Sequence, residues 1–259
     1  MSGIGERAAP FLFAVLSLCA WEGLVRAAGV PAYILPAPSA VWTAFAAAPG
    51  LLLGSLASTL LVTLLALGGS CVLGVALALL MAGSRWARAA ILPWTVALQV
   101  TPVVAIAPLI IVWVGDPFAA LVVCAVIVAF FPVFSGTAAG LAAVPPELLD
   151  LFRLSGAGRW QVLFLLRVPV AVPLFLAGLR ISGGLALVGA VVAEFVAGSG
   201  GVASGLAYRI LESGYRLQIP RMFAALALLC LAGIAINAAL GALERRVLRR
   251  WGHAGGGLP

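Results

Sequence analysis

Side chains able to make or break a bond are nearly absent from this sequence. His253 is the only histidine, and it sits in a Gly-rich tail where neither catalysis nor metal ligation is expected. A serine protease working inside a membrane needs a general base, commonly His, and no apolar stretch supplies one. Cys19, Cys71, Cys124 and Cys230 all lie in apolar runs, and none is paired at metal-ligand spacing; they read as small buried hydrophobes. All 15 basic residues are arginine. Without lysine there can be no Gly-x-x-x-x-Gly-Lys-Ser/Thr phosphate loop. What remains is a handful of polar groups set among apolar ones: Gln99 and Thr101 beside Pro102, Arg180, Glu194 and Asn237. Such groups are costly in a bilayer and invite functional readings. Gln99, Thr101, Pro102 and Glu194 are candidates to line or gate a passage for a polar solute. Helix packing explains Gln99 and Thr101 equally well. Glu194 reads also as an interfacial acid, or as a partner of Arg209 or Arg216. Arg180 is expected to snorkel or to pair with a carboxylate or carbonyl, and Asn237 to bond between helices.

The elements that must hold these groups follow from composition. The chain has 259 residues, 64% hydrophobic and 9% charged, with a mean hydropathy of +1.22. Soluble domains carry about 25% charged residues. A bilayer core of about 30 Å takes about 20 apolar residues of helix. Six runs qualify, at roughly 10–28, 54–82, 90–114, 118–140, 169–198 and 221–243. They do not alternate as barrel strands do, and lipid leaves helices as the way to satisfy the backbone. The first run is interrupted by Glu22 and Arg26 and reads as a retained span rather than a signal peptide. Pro102 and Pro108 are expected to kink the third span. Gly136 and Gly140 in the fourth suit close packing, within the bundle or at a dimer interface.

The net charge of +7 does not mark a nucleic-acid binder, because the arginines do not share one face. They fall in the gaps between runs. With both termini inside, ten arginines are cytoplasmic and four (Arg26, Arg209, Arg216, Arg221) are outside, the bias that sets topology. Two outer connections carry short helices. Ser39 is expected to cap one bearing Val41, Trp42 and Phe45. The other covers 203–217, with Leu206, Ile210 and Leu217 on one face and a Glu212–Arg216 pair. One domain over 1–251 is expected, followed by a disordered tail, 252–259.

The most informative segment joins spans four and five, from Pro145 to Trp160. Two prolines open a helix, Glu147 and Asp150 suit its first turn, and Leu148, Leu151 and Phe152 form an apolar stripe. Gly156 and Gly158 end it. The stripe either seeks a partner or lies on the membrane or the bundle.

This segment resembles the signature of ABC importer permeases: Glu-Ala-Ala, three residues, Gly, then about a dozen residues to a hydrophobic-Pro pair. With Gly156 on the signature glycine, Asp150-Leu151-Phe152 take the first three places and Val168-Pro169 the last pair. The spacing matches, while Leu and Phe make the helix bulkier than the pattern. Leu35-Pro36-Ala37-Pro38, Thr101-Pro102 through Trp113-Val114-Gly115, and Val192-Ala193-Glu194 with Gly198-Ser199-Gly200-Gly201 are similar to the nitrate, taurine and alkanesulfonate permease group. The likeness spans about 33–250. Gln99–Pro102 and Gly205–Ile210 resemble importers of pyrimidine-like nitrogen heterocycles, with taurine, sulfonate and nitrate left open.

The resemblance implies an all-α, polytopic transmembrane bundle of about six spans with a cytoplasmic coupling helix. It implies a bacterial inner-membrane permease and no enzyme. Asp150, Leu151, Phe152, Gly156 and Pro169 would couple it to cytoplasmic ATPase subunits. ATP and Mg would bind those subunits, and no cofactor is expected in this chain. A periplasmic or lipid-anchored binding protein would deliver the solute, and a second copy would complete a homodimer. An ion-coupled secondary transporter is the main rival. It would want acids within the spans and often inverted repeats. Glu22 and Glu194 lie near span ends, and no repeat is evident.

Overall fold

The computed structural model describes residues 3–198 and 204–250, residues 3–8 by backbone alone. The tail with His253, and Ser199-Gly200-Gly201, lie outside the described residues. Among the described residues the chain is helical without a strand. In order run α1 (Gly3–Ala27), α2 (Pro38–Ala47), α3 (Pro49–Gly83), α4 (Arg85–Val100), α5 (Val103–Val114) and α6 (Pro117–Ala142). Then come α7 (Pro146–Leu154), α8 (Arg159–Gln161), a π-helical turn (Val162–Arg167), α9 (Val168–Ala197), α10 (Leu206–Tyr215) and α11 (Ile219–Arg250). Among the described residues five helices or helical runs are long and apolar enough to cross a membrane, or six if α4 with α5 counts as one span. The all-α polytopic bundle is as expected.

The third span is not a kinked rod. α4 and α5 meet at 106°. The residue before a proline is pushed out of the helical region, and Thr101 is extended (φ −74°, ψ 122°) before Pro102. Pro108 stays inside α5 without breaking it. Asp116 then opens α6, accepting from the Ala119 N–H at 2.6 Å, with Pro117 in the first turn.

The described residues form two compact units. One holds residues up to 58 and 204–230; the other holds 59–198 and 231–250, with α3 and α11 contributing to both. In the first unit Glu22 on α1 replaces Ser39 as the cap of α2. Its carboxylate accepts from the Ser39 backbone N–H at 2.9 Å and from the Ser39 hydroxyl at 2.8 Å. Ala37 is the residue preceding that helix, and Ser39 lies within it. Leu217 does not share the apolar face of α10. It lies past the helix end with φ 55° and is exposed, because the chain turns there through Leu217 N–H to Gly214 and Gln218 N–H to Ser213.

The second unit is centred on α6 against α9. Lipid gives helices no hydrophobic reason to associate, so small residues that let backbones approach take over. A Cβ on Gly136 would stand 2.6 Å from the Leu174 carbonyl oxygen, and one on Gly140 2.7 Å from the Ala171 Cα. On the other side Gly178 faces the Pro132 carbonyl and Gly189 the Ala125 backbone. Gly136 and Gly140 therefore serve packing inside the chain. Ser182 adds a hydrogen bond to the Ala129 carbonyl at 2.6 Å, and Ser70 on α3 one to Val126 at 3.1 Å. Around this seam lie Val62, Ala66, Ala125, Ala129, Ala186 and Ala190, all buried. α11 runs antiparallel along α9, with Gly183 against Leu240 and Ile236, and Gly233 against Leu187.

Of the cysteines only Cys124 is buried; Cys71 is half-buried, and Cys19 and Cys230 are exposed. An apolar helix surface in lipid has no need to face inward, so an apolar run does not imply burial. Gly178→Ala should lower the thermal midpoint in detergent, at a cost of about 1–3 kcal/mol from overpacking. Gly184→Ala, six residues on and meeting open space, should leave it unchanged or raise it, with a gain in stability of up to about 1 kcal/mol. Circular dichroism melts of the two variants check this.

Candidate functional site

The Pro145–Trp160 segment folds as its residues dictate. Pro146 takes the first turn of α7 with Glu147 beside it. The helix ends in a Schellman motif: the Ala157 N–H reaches the Phe152 carbonyl at 3.0 Å and the Gly156 N–H that of Arg153 at 3.0 Å. Gly156 sits at φ 71° with nothing near its absent side chain, so its requirement is conformational rather than steric. Asp150 is exposed and pairs with Arg153 at 3.0 Å. No residue of α7 is buried. Leu148, Leu151 and Leu154 are exposed along one side, while Leu149 and Phe152 turn partly inward. The free stripe thus includes Leu154 in place of Phe152.

Pro169 follows the π-helical turn. Proline has no N–H and its ring clashes with the carbonyl four residues back. Here the Val168 N–H reaches five residues back to the Leu163 carbonyl, and the extra residue carries the helix past the proline. Arg159 to Ala197 forms one continuous helical run.

The α4–α5 break makes one side of a groove of about 390 Å³. Gln99, Thr101, Val104, Phe131, Pro132 and Val192 are among its walls. Gln99 and Thr101 are thus brought together, on an otherwise apolar surface. The Thr101 hydroxyl donates to Ala97 at 2.7 Å, and the Gln99 side chain has no partner among the described residues. Pro102 makes the break but is not part of the lining. Glu194 lies elsewhere. It is buried, and Thr59 donates to its Oε1 at 2.8 Å. Thr59 gave no signal in the sequence, being one hydroxyl in a long apolar run.

Arg180 has the carboxylate it was expected to find. Its Nη1 stands 3.5 Å from Glu244 on α11, and its Nε donates to Asn237 at 2.9 Å. Glu244 was legible only as part of a charged helix end. Among the described residues no group of three His, Cys, Asp or Glu could hold a metal.

Residues 71–249 match the family model for the binding-protein-dependent transport system inner membrane component. The chain belongs to this family. It is 36% identical to the riboflavin transport system permease protein RibX of Chloroflexus aurantiacus, over 92% of this chain and 87% of that one. It is 35% identical to the formylaminopyrimidine transport permease protein ThiX of Halalkalibacterium halodurans, over 92% of this chain and 94% of that one. The fold matches that of a solved chain of the MetNI methionine ABC transporter, with a TM-score of 0.65 at 20% identity, covering 76% of this chain and 96% of that one. The protein is a multi-pass membrane permease subunit of an ABC importer, a transport component and not an enzyme.

The permease also carries a tight charge cluster on α10. Glu212 pairs with Arg209 at 2.8 Å and with Arg216 at 2.9 Å, and Arg209 donates to Ser55 at 3.0 Å. The hydrogen bond from Arg209 is the main cause holding the Glu212 carboxyl below its ordinary value of 4.5; burial opposes it, and the charges of Arg209, Arg216 and Arg221 add to the lowering. A lowered carboxyl stabilises the fold above its unfolded value and loses that contribution as pH falls through the folded one. Stability should therefore decline from about pH 4.5 downward. Glu212→Gln should be less stable at pH 7 and should lack this part of the decline, which thermal melts across pH 3–7 would show.

Proposed function

We propose that α7 is the coupling helix of this permease and that its free stripe docks in a cleft of a cytoplasmic ATPase subunit. The single observation that carries this is a helix with no buried residue and an exposed leucine stripe, fixed at its end by Gly156 in the left-handed region, in a chain of this family. Asp150, Leu151 and Phe152 make up its body. Pro169, after the π-helical turn, starts the long run into the membrane. ATP and Mg belong to the partner. Both termini and α7 face the cytoplasm of a bacterial inner membrane, in keeping with the arginine bias, and residues 1–251 act as one permease domain.

Two copies of the chain would form the pathway. The groove at the α4–α5 break, with Gln99 and Thr101 near Pro102, supplies its polar wall, and buried Glu194 helps gate it. A periplasmic or lipid-anchored binding protein delivers the solute. We favour a small nitrogen heterocycle, a pyrimidine or flavin-like compound. Two relatives that match over nine-tenths of the chain are named for riboflavin and formylaminopyrimidine. Amide and hydroxyl groups on an apolar wall suit a flat, uncharged ring better than a sulfonate, for which the groove offers no cation.

Tagged protein pulled from mildly solubilised native membrane should bring down a subunit with ATPase activity. Gly156→Arg should keep the chain in the membrane but lose the ATPase and more than nine-tenths of uptake, with Gly156→Ala intermediate. Full coupling in a well-expressed Gly156→Arg variant would sink the assignment. Uptake assays with labelled pyrimidine, riboflavin and taurine decide the solute class.

A further inference from the structure

Beside α7 lies a set of arginines that neither the pathway nor the coupling stripe uses. The turn from α3 to α4, α7 and the start of the α8–α9 run enclose a cavity of about 590 Å³, with Arg153, Arg159, Trp160 and Arg167 on its walls. A second hollow of about 450 Å³ on the other side of the α3–α4 turn is lined by Ser84, Arg85 and Arg88. A narrow cleft lined by both Arg88 and Arg167 lies alongside them. Arg85, Arg88, Arg159 and Arg167 have no carboxylate within ion-pair distance among the described residues. The acids on the surrounding elements are Glu147 and Asp150, both on α7, and Asp150 is taken by Arg153. Arg167 is half-buried and spends one donor on the Ala82 carbonyl at 3.5 Å. The N-terminus of the 16-residue helix α4, capped by Ser84, adds its own positive end.

Half-buried Arg167, with exposed Arg159 beside it on the cavity wall, is left without a counter-charge, and planar forks of donors suit a phosphate. The position says which phosphate. Gly83 ends one candidate span and Arg159 begins another, so the pocket lies where hydrocarbon gives way to headgroups. Trp160 stands 72% exposed on its wall, as interfacial aromatics do. Just beyond, Phe164 and Leu165 present exposed apolar surface running into the membrane. A soluble phosphate would use the arginines alone; a phospholipid uses both parts. We infer that this pocket binds the headgroup phosphate of an anionic phospholipid, with the acyl chains along Phe164 and Leu165 and with Arg159 and Arg167 as its principal contacts. The inference needs this end of the helices to lie at a membrane surface, and does not need α7 to couple to an ATPase.

The test uses the full chain, delipidated in neutral detergent and titrated with phosphatidylglycerol or phosphatidylcholine, with bound lipid counted by native mass spectrometry. Phosphatidylglycerol should bind at a concentration at least about tenfold lower than phosphatidylcholine, and weaken with salt. Each arginine removed should cost about fivefold, so that Arg159→Gln with Arg167→Gln loses about 25-fold. Arg249→Gln with Arg250→Gln, at the far end of α11, should change nothing. If the double variant does not fold, exposed Arg159→Gln alone should still show its fivefold loss. Equal binding of the two lipids, or unchanged binding in the variants, overturns the site. Displacement of phosphatidylglycerol by millimolar inorganic phosphate would assign the pocket to soluble phosphate and overturn the lipid reading. Loss of ATPase co-purification with lipid binding intact would assign the arginines to the protein partner instead.

Discussion

Close approach of α6 and α9 is the contact on which the larger unit depends. Water drives apolar helices together in soluble proteins, but lipid tails are as apolar as the side chains they would replace. What remains is dispersion between well-fitted surfaces, and that grows with the closeness of backbones. Gly136, Gly140, Gly178 and Gly189 each stand where a methyl group would strike the neighbouring main chain. Such nearness also lets Ser182 reach the Ala129 carbonyl directly. The rest of the unit is arranged around that seam: α3 on one side with Val62, Ala66 and Ser70, α11 on another with Ile236 and Leu240.

A second constraint is that polar groups on or near spans should find partners. Arg180 reaches across α11 to Asn237 and Glu244. Glu22 holds Ser39, and Thr59 holds Glu194. These pairs bring together residues 17, 57, 64 and 135 positions apart in the chain. In lipid an unmet polar group costs several kcal/mol, so each pair fixes which helices can be neighbours as well as satisfying its members.

Much of the architecture was legible in the sequence because single-residue rules decide it. Span length against bilayer thickness gave the helices. Prolines at 145 and 146 with glycine at 156 gave both ends of α7, and Gly156 adopts the left-handed conformation that such an end requires. The GxxxG pair announced a close contact, though not whether it lay within one chain. The failures share a cause: they depend on through-space partners or on the exact backbone path. Ser39 has a capping residue's chemistry, but the carboxylate that takes the role comes from α1. Leu217 fits a helical period, but the chain has already turned. Pro102 and Pro108 look alike in sequence; only at the first does the preceding residue become extended, and the span breaks there. The pathway candidates divided for the same reason, Gln99 and Thr101 meeting in one groove while Glu194 is drawn into the interior by a hydroxyl on α3.

The run from Arg159 to Ala197 has a mechanical meaning. At about 1.5 Å per residue its 39 residues measure about 58 Å, and it begins in the cavity wall shared with α7 and ends one turn past Glu194. A helix of that length is stiff along its axis and behaves as a connecting rod. Its irregularities, the π-helical turn at Val162–Arg167 with Pro169 just after it and Pro173 within α9, all lie near the end beside α7. There the hydrogen bonds are looser and two prolines lack the N–H donor, so the rod has a compliant joint close to its handle and an almost unbroken shaft beyond it. If α7 couples as proposed, a push at the loop would be converted into tilt of the whole shaft rather than dissipated along it.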